Sequence, residues 1–486
     1  MNPVNITVLV IVVFLLINFI AIAMFRKKQD TVEEYSVGSR SFPWILNLFG
    51  FLGSWYVGST YTGFFGDAAT IGVFALYLTV YSVGIMVTMY ILAGPVWTLG
   101  KIYKLETIAD MAELRYNSKK FGLFIAVTTF IFWAPWLIVE LRTVGYVVSA
   151  VTYEAFSFNT GLIIVGGFVI LYSWWGGMRA GVIGDLVQGF VFVFVGTGTV
   201  IYLYFTAYDG LGSMFNRISK EAPSLLQINN ADLWVWSSAI ITAAIGGMMN
   251  PGIFNRLYMA NGVKSLKKAA LASPIIASIF VTLLLWLGLG AGLFDGFPTD
   301  PQAGAFWFAS EFGGPLVLGL MGIFALAACM STISGISVTA SVLIGKHFLT
   351  SELSDDKRLK ITRFITLLIG VVAIVIATAE ITIIVSIVIY IYEFLVQVSV
   401  PIVLGLFWKR GNVYGAFSGM IAGTSIIVLF IIFPNLSSLI GDFPFALIAL
   451  FINLFLYLII SILTPKQYNV KEIFKNVEEY KYQDIS

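Results

Sequence analysis

One cysteine and one histidine in 486 residues remove most covalent and metal chemistry from consideration. Cys329 has no second thiol to pair with, so no intramolecular disulfide or thiolate metal centre can form. His347 stands alone at the end of an apolar run, a position that argues against catalysis or metal binding. Charge is scarce too: 11% of the chain, against 59% hydrophobic residues and a mean hydropathy of +0.92. So little charge cannot solvate a soluble domain of this size, and the class is an all-α polytopic membrane protein. A net charge of +2 gives no basis for a nucleic-acid partner, and no nucleophile–base pair or metal cluster suggests an enzyme.

What remains is apolar length. Thirteen runs, each near the roughly 20 residues that cross hydrocarbon, begin at about residues 3, 43, 71, 121, 158, 180, 232, 268, 313, 361, 381, 413 and 440. Of 28 Lys and Arg, 25 fall in alternate connections on one side; only Arg217 and Lys220 fall on the other, and Arg142 lies inside a run. The positive-inside rule then puts the amino terminus outside and the carboxyl tail in the cytoplasm of a cell whose plasma membrane the chain spans. The first run has no basic residue before it and Arg26-Lys27-Lys28 after it, so it reads as a retained helix, not a cleaved signal.

Two runs are interrupted alike. The second holds Gly50, Gly53, Gly58, Gly63 and Gly66; the seventh, five runs later, holds Gly246-Gly247 and Asn250-Pro251-Gly252. Broken helices at matching places in two half-repeats point to a transport site near the midplane, although glycines also serve close helix packing. Ser331, Thr332 and Ser334 lie in a stretch, 313–344, with no charged residue. Such hydroxyls commonly bond back to their own helix. Held in a dry helix facing an unwound one, they would instead offer oxygens to a hard cation.

Ionisable groups inside a membrane are functional candidates by default. Glu140 and Arg142 lie in the fourth run and Glu393 in the eleventh, with Gln397 four residues on, sharing its helix face. Arg142 either neutralises one of these acids or contacts solute. Asp185 falls near the cytoplasmic end of the sixth run, where interfacial solvation would suffice for it. Trp55, Ser59, Thr60 and Asn250 flank the two interruptions and are candidates to line a pocket.

Several separated strings carry a family pattern in order: Glu34-Tyr35-Ser36-Val37-Gly38-Ser39-Arg40 before Pro43, the glycine-rich 55–66, Gly176-Gly177 with Ala180, Asp185 and Gln188, Asn255-Arg256, the Ala-Ala-x-Met-Ser-Thr of 327–332, and Leu404-Gly405-Leu406-Phe407-Trp408-Lys409-Arg410. Across almost the whole chain they resemble the sodium/solute symporter family, transporters of glucose, proline, sialic acid and pantothenate built on a LeuT-like inverted repeat. The resemblance implies thirteen transmembrane helices: an extra amino-terminal helix and loop in 1–42, five-helix repeats in 43–208 and 209–410, two extra helices in 411–464 and a tail in 465–486. It also implies a sodium site made of carbonyls of Gly53, Tyr56 and Ala328 with hydroxyls of Ser331 and Thr332, supported by Asp185.

Some members hold a further sodium. Here Val57 and Gly335 replace hydroxyls of that site, which implies a single ion. Trp55 replaces the acid of proline carriers, and the Asn and Gln of sugar carriers are absent at Trp55 and Thr60. The solute favoured is therefore an amino acid or other carboxylate, matched to the guanidinium of Arg142, with a sugar or polyol as the alternative. A transporter-like sensor or an ion channel are the rival functions.

Overall fold

The chain is almost entirely helical, and among the described residues the only β-contact is an isolated bridge between Phe42 and Ala260. The computed structural model describes residues 2–25, 28–228, 233–348, 353–379, 390–441, 443–467 and 470–483. The start of the eleventh run, 381–389, lies outside that description, as do the side chains of Ser59 and Thr60.

Among the described residues nine helices are long and apolar enough to cross a membrane, ten if the bent pair Leu233–Met249 and Pro251–Met259 is one span. Thirteen runs yield fewer such helices because some runs are fused, one is broken and the eleventh is described only in part. Phe158–Tyr208 is a continuous 51 residues, roughly 76 Å of helix against about 30 Å of hydrocarbon. It bends at Gly177, whose φ of 55° and ψ of −152° suit glycine alone. Trp44–Trp55 is apolar but too short to span by itself, and Ile391–Phe407 is the described part of the eleventh run.

The elements that position the site are α1 (Pro3–Phe25), α2 (Trp44–Trp55), α3 (Gly58–Ile71), α4 (Tyr77–Tyr103), α5 (Lys119–Trp133), α6 (Pro135–Val151), α7 (Gly167–Phe190), α8 (Leu233–Gly246), α9 (Arg256–Met259), α10 (Val263–Ala291), α11 (Gly304–His347), α12 (Asp355–Thr378) and α13 (Ile391–Ser399). Helix α11 is the axis of the fold: 89% of its apolar window is buried in protein, against 22% for α1. Peripheral helices present Leu9 and Ile17 of α1, and Phe364 and Val375 of α12, to the surroundings, as a lipid-facing surface requires.

Both expected interruptions are present. Helix α2 ends at Trp55, Tyr56 and Val57 are extended (ψ 95° and 164°), and α3 restarts at Gly58. In the second, Asn250 is extended and its Oδ1 accepts the Gly252 N–H at 2.9 Å, capping a helix that restarts on Pro251 after a 58° bend. Proline suits that first position because its missing N–H would have no helical partner there.

Candidate functional site

Helices leave their last carbonyls without intrahelical partners, so the end of α2 offers main-chain oxygens from Gly53 to Tyr56. Helix α11 passes directly opposite. A methyl placed on Gly53 would lie 2.6 Å from Ser331 Oγ and 3.4 Å from Asp185 Oδ1, so these three residues converge. Ser331 donates its hydroxyl proton to Asp185 Oδ1 at 2.5 Å, and Thr332 donates to the Ala328 carbonyl at 3.1 Å. The back-bond of Thr332 is the ordinary behaviour of a helical hydroxyl. It also has a consequence for cations: a hydroxyl has one proton and two lone pairs, and both protons here are turned toward other acceptors, leaving lone pairs for an ion.

Asp185 is not solvated at an interface. It is fully buried and pairs with Arg256 at 2.7 Å, with the two side chains 1% and 2% exposed. Arg256, grouped by sequence with the cytoplasmic loop charges, is thus an interior residue, and its Nη2 also donates to Ser54 Oγ at 2.7 Å. The network runs from Ser54 on α2 through Arg256 on α9 and Asp185 on α7 to Ser331 on α11. Four elements, including the segments beside both interruptions, are tied by three hydrogen bonds in a region where an unpaired charge would be costly.

Next to this network is a cavity of about 20 Å³, space for little more than one water. Aromatic rings dominate its wall: Trp55, Trp133, Trp136 and Tyr392, with Ser54, Asn250 and Thr332 among the polar lining residues. Tyr392 bridges the rings, its centroid 5.9 Å from that of Trp55 and 6.3 Å from that of Trp136. Trp133, Trp136 and Tyr392 were not expected from the sequence. The signal available was Trp133-Ala134-Pro135-Trp136, where a proline at the start of α6 marks a third irregular point in a run already suspected for Glu140.

Of the expected pocket residues, Trp55 and Asn250 line this cavity. Ser59 and Thr60 have side chains outside the described residues, and the remaining four have other surroundings. Glu140 accepts the Gly58 N–H at 2.9 Å and the Trp136 indole N–H at 3.0 Å, placing a carboxylate at the amino end of α3. Arg142 takes neither acid as its partner in an ion pair: it donates to the Ala377 carbonyl at 2.9 Å, lies 5.2 Å over the Phe158 ring and lines a separate cleft of about 210 Å³ with Thr62, Tyr146 and Gln302. Glu393 lines another cleft, of about 310 Å³, with Ser238 and Thr242. Gln397 is tied to Asn453, whose Nδ2 donates to its side-chain oxygen at 2.9 Å.

A model of the sodium:solute symporter family matches residues 35–423. An uncharacterised symporter of Bacillus subtilis, YhjB, is 25% identical over 476 residues, covering 93% of this chain and 96% of its own. A monocarboxylic acid transporter of Corynebacterium glutamicum is 22% identical over 473 residues, covering 90% and 85% respectively. The fold is similar to that of a Na+-coupled sialic acid symporter solved in a substrate-bound outward-open state, with a TM-score of 0.81 at 16% identity over 95% of this chain and 98% of that one.

Proposed function

The chain belongs to the sodium:solute symporter family, whose members are transporters and not enzymes, and from that premise we propose that it carries one sodium ion with an amino acid or other carboxylate by alternating access. The single observation that carries this reading is the convergence of Gly53, Asp185 and Ser331 beside the end of α2. Carbonyls of Gly53, Tyr56 and Ala328 and hydroxyls of Ser331 and Thr332 form the ion site, with Asp185 supporting it from behind through its bond to Ser331. Oxygen ligands of this kind are what a hard cation selects.

Sodium in that place bridges α2 and α11. Binding therefore favours the arrangement in which those helices are close, and because Thr332 also lines the solute cavity, ordering it for one ligand orders it for the other. Coupling then follows from differential affinity for two states. Arg142 supports the choice of a carboxylate. It lies in the 210 Å³ cleft beside Thr62 of α3, on the way inward from the proposed outer face, and its fork suits a carboxylate. The monocarboxylic acid transporter among the relatives agrees with that choice.

The topology we propose is thirteen spans: the Phe158–Tyr208 helix divides at Gly177 into two, each broken pair makes one, and repeats in 43–208 and 209–410 are inverted, with the amino terminus outside. The test is sodium dependence. Ser331→Ala and Thr332→Ala each raise the sodium concentration needed for half-maximal uptake in proteoliposomes; unchanged dependence in both variants refutes the ligand set.

A further inference from the structure

The central cavity has no positively charged side chain to receive a carboxylate: all thirteen of its lining residues are uncharged. Its character is set by rings and by what stands behind them. Trp55 donates its indole N–H to Ser82 Oγ at 2.8 Å and Trp136 donates its own to Glu140 Oε1 at 3.0 Å. With both N–H groups satisfied behind the wall, these two side chains offer the cavity ring surface and not donors. Ring faces are electronegative and attract cations, most strongly for tryptophan. The hydrogen bond to a carboxylate polarises the Trp136 indole further in the same sense.

Glu140 is wholly buried and cannot leave this position cheaply, since the Gly58 N–H at the start of α3 holds its other oxygen. It also occupies the helix amino terminus that would otherwise attract a solute anion. The lining also holds Thr332, a ligand of the proposed sodium. The cavity is thereby polarised, electronegative toward Trp136 and electropositive toward Thr332 when the ion is bound.

From this arrangement we infer that the cavity is an ammonium cage: Trp55, Trp136 and Tyr392 enclose an amine or quaternary ammonium head, and the carried solute is a zwitterion, not a simple carboxylate. The inference rests on the proposed sodium-coupled transport of carboxylates and narrows it. A cavity of about 20 Å³ is too small for such a head, so the rings part on loading and close around it afterward. Arg142 lies six residues beyond Trp136, about 9 Å along the helix axis, too far for one small zwitterion to reach both. The carboxylate is met by Arg142 on entry and faces the sodium once the amine is caged.

The experiment uses pairs of carboxylates of equal shape that differ only in the positive nitrogen: glycine betaine with 3,3-dimethylbutanoate, valine with 2,3-dimethylbutanoate, proline with cyclopentanecarboxylate. Binding to the purified full chain is measured by thermal shift in sodium and in potassium, and transport by counterflow. The expected result is sodium-dependent binding at least tenfold tighter for the nitrogen-bearing member of the pair that fits. That advantage shrinks to about twofold in Trp136→Leu and survives in Trp136→Phe, while sodium affinity without solute stays unchanged. Equal or tighter binding of the nitrogen-free carboxylates overturns the cage and leaves carboxylate symport standing. Sodium-independent binding, or no binding by any member, overturns both.

Discussion

Replacing Gly53 by alanine tests the ion site without substituting a proposed side-chain ligand. The new methyl would stand 2.6 Å from Ser331 Oγ and 3.2 Å from Ser331 Cβ, and such distances force a displacement of several tenths of an ångström. Ser331 has little freedom to yield: it is 1% exposed, and its hydroxyl is fixed on Asp185 at 2.5 Å. Either that bond breaks or α2 retreats from α11, and both separate the oxygens that sodium must bring together. Overpacking of this kind costs about 1–3 kcal/mol, which converts to a loss of roughly 5- to 150-fold in sodium affinity at about 1.4 kcal/mol per tenfold. The assay is a sodium titration of uptake and of thermal stability, with potassium holding ionic strength constant. Gly63→Ala is the control, because a methyl there meets nothing within 4 Å. A Gly53→Ala variant that folds and keeps its sodium half-saturation within about twofold of wild type would refute the placement of the ion between α2 and α11.

Two further outcomes follow from charges the fold has buried. Arg256→Leu leaves Asp185 without its ion-pair partner in a fully buried position, which costs about 3–5 kcal/mol; a large fall in thermal stability is expected, with most of it recovered in Asp185→Leu/Arg256→Leu, and equal stability of both variants would contradict the pairing. In the connection between α4 and α5 burial pushes the Asp110 carboxyl up, but Lys346 at 2.8 Å and His347 at 3.3 Å outweigh it and hold the group below the ordinary carboxylate range. A depressed value in the folded state means the contribution is complete above the unfolded value near 4 and is lost as pH falls below it. Asp110→Asn therefore lowers the melting temperature at pH 7 by a margin that narrows below about pH 4; a margin constant from pH 7 to pH 3 would count against this linkage.

The sequence made legible those features whose physics is local. Glycine clusters and Asn250-Pro251-Gly252 interrupt helices through their own backbone preferences, and both interruptions lie where these residues put them. Ser331 and Thr332 were visible because adjacent hydroxyls in an uncharged span are unusual. Partnerships between distant segments were not legible. Asp185 and Arg256 are 71 residues apart, and each, placed only to within a turn along its run, could equally have reached an aqueous interface. What decides their burial is that α7 and α9 approach at one depth, a property of packing that no periodicity reports. Glu140 was found by its charge and left open between pairing with Arg142 and contact with solute, because nothing in the chain announces that the Gly58 amide has it as acceptor until the break at Tyr56 is given its actual direction.

The same packing argument explains why ion and solute cannot be handled independently. Thr332 belongs to the proposed ion site and lines the cavity, and Ser54 lines the cavity while accepting from the guanidinium that neutralises Asp185. A solute that shifts Ser54 disturbs Arg256 and, through Asp185, the Ser331 hydroxyl. An ion that reorients Ser331 acts along the same bonds in reverse. Linkage requires the two effects to be equal in free energy, so a variant that cuts this chain at its cavity end has a distinctive signature. Ser54→Ala removes the hydroxyl that joins Arg256 to the cavity and leaves the Asp185–Ser331 bond in place; sodium binding and solute binding each persist, while the enhancement of one by the other declines by the same factor in both directions.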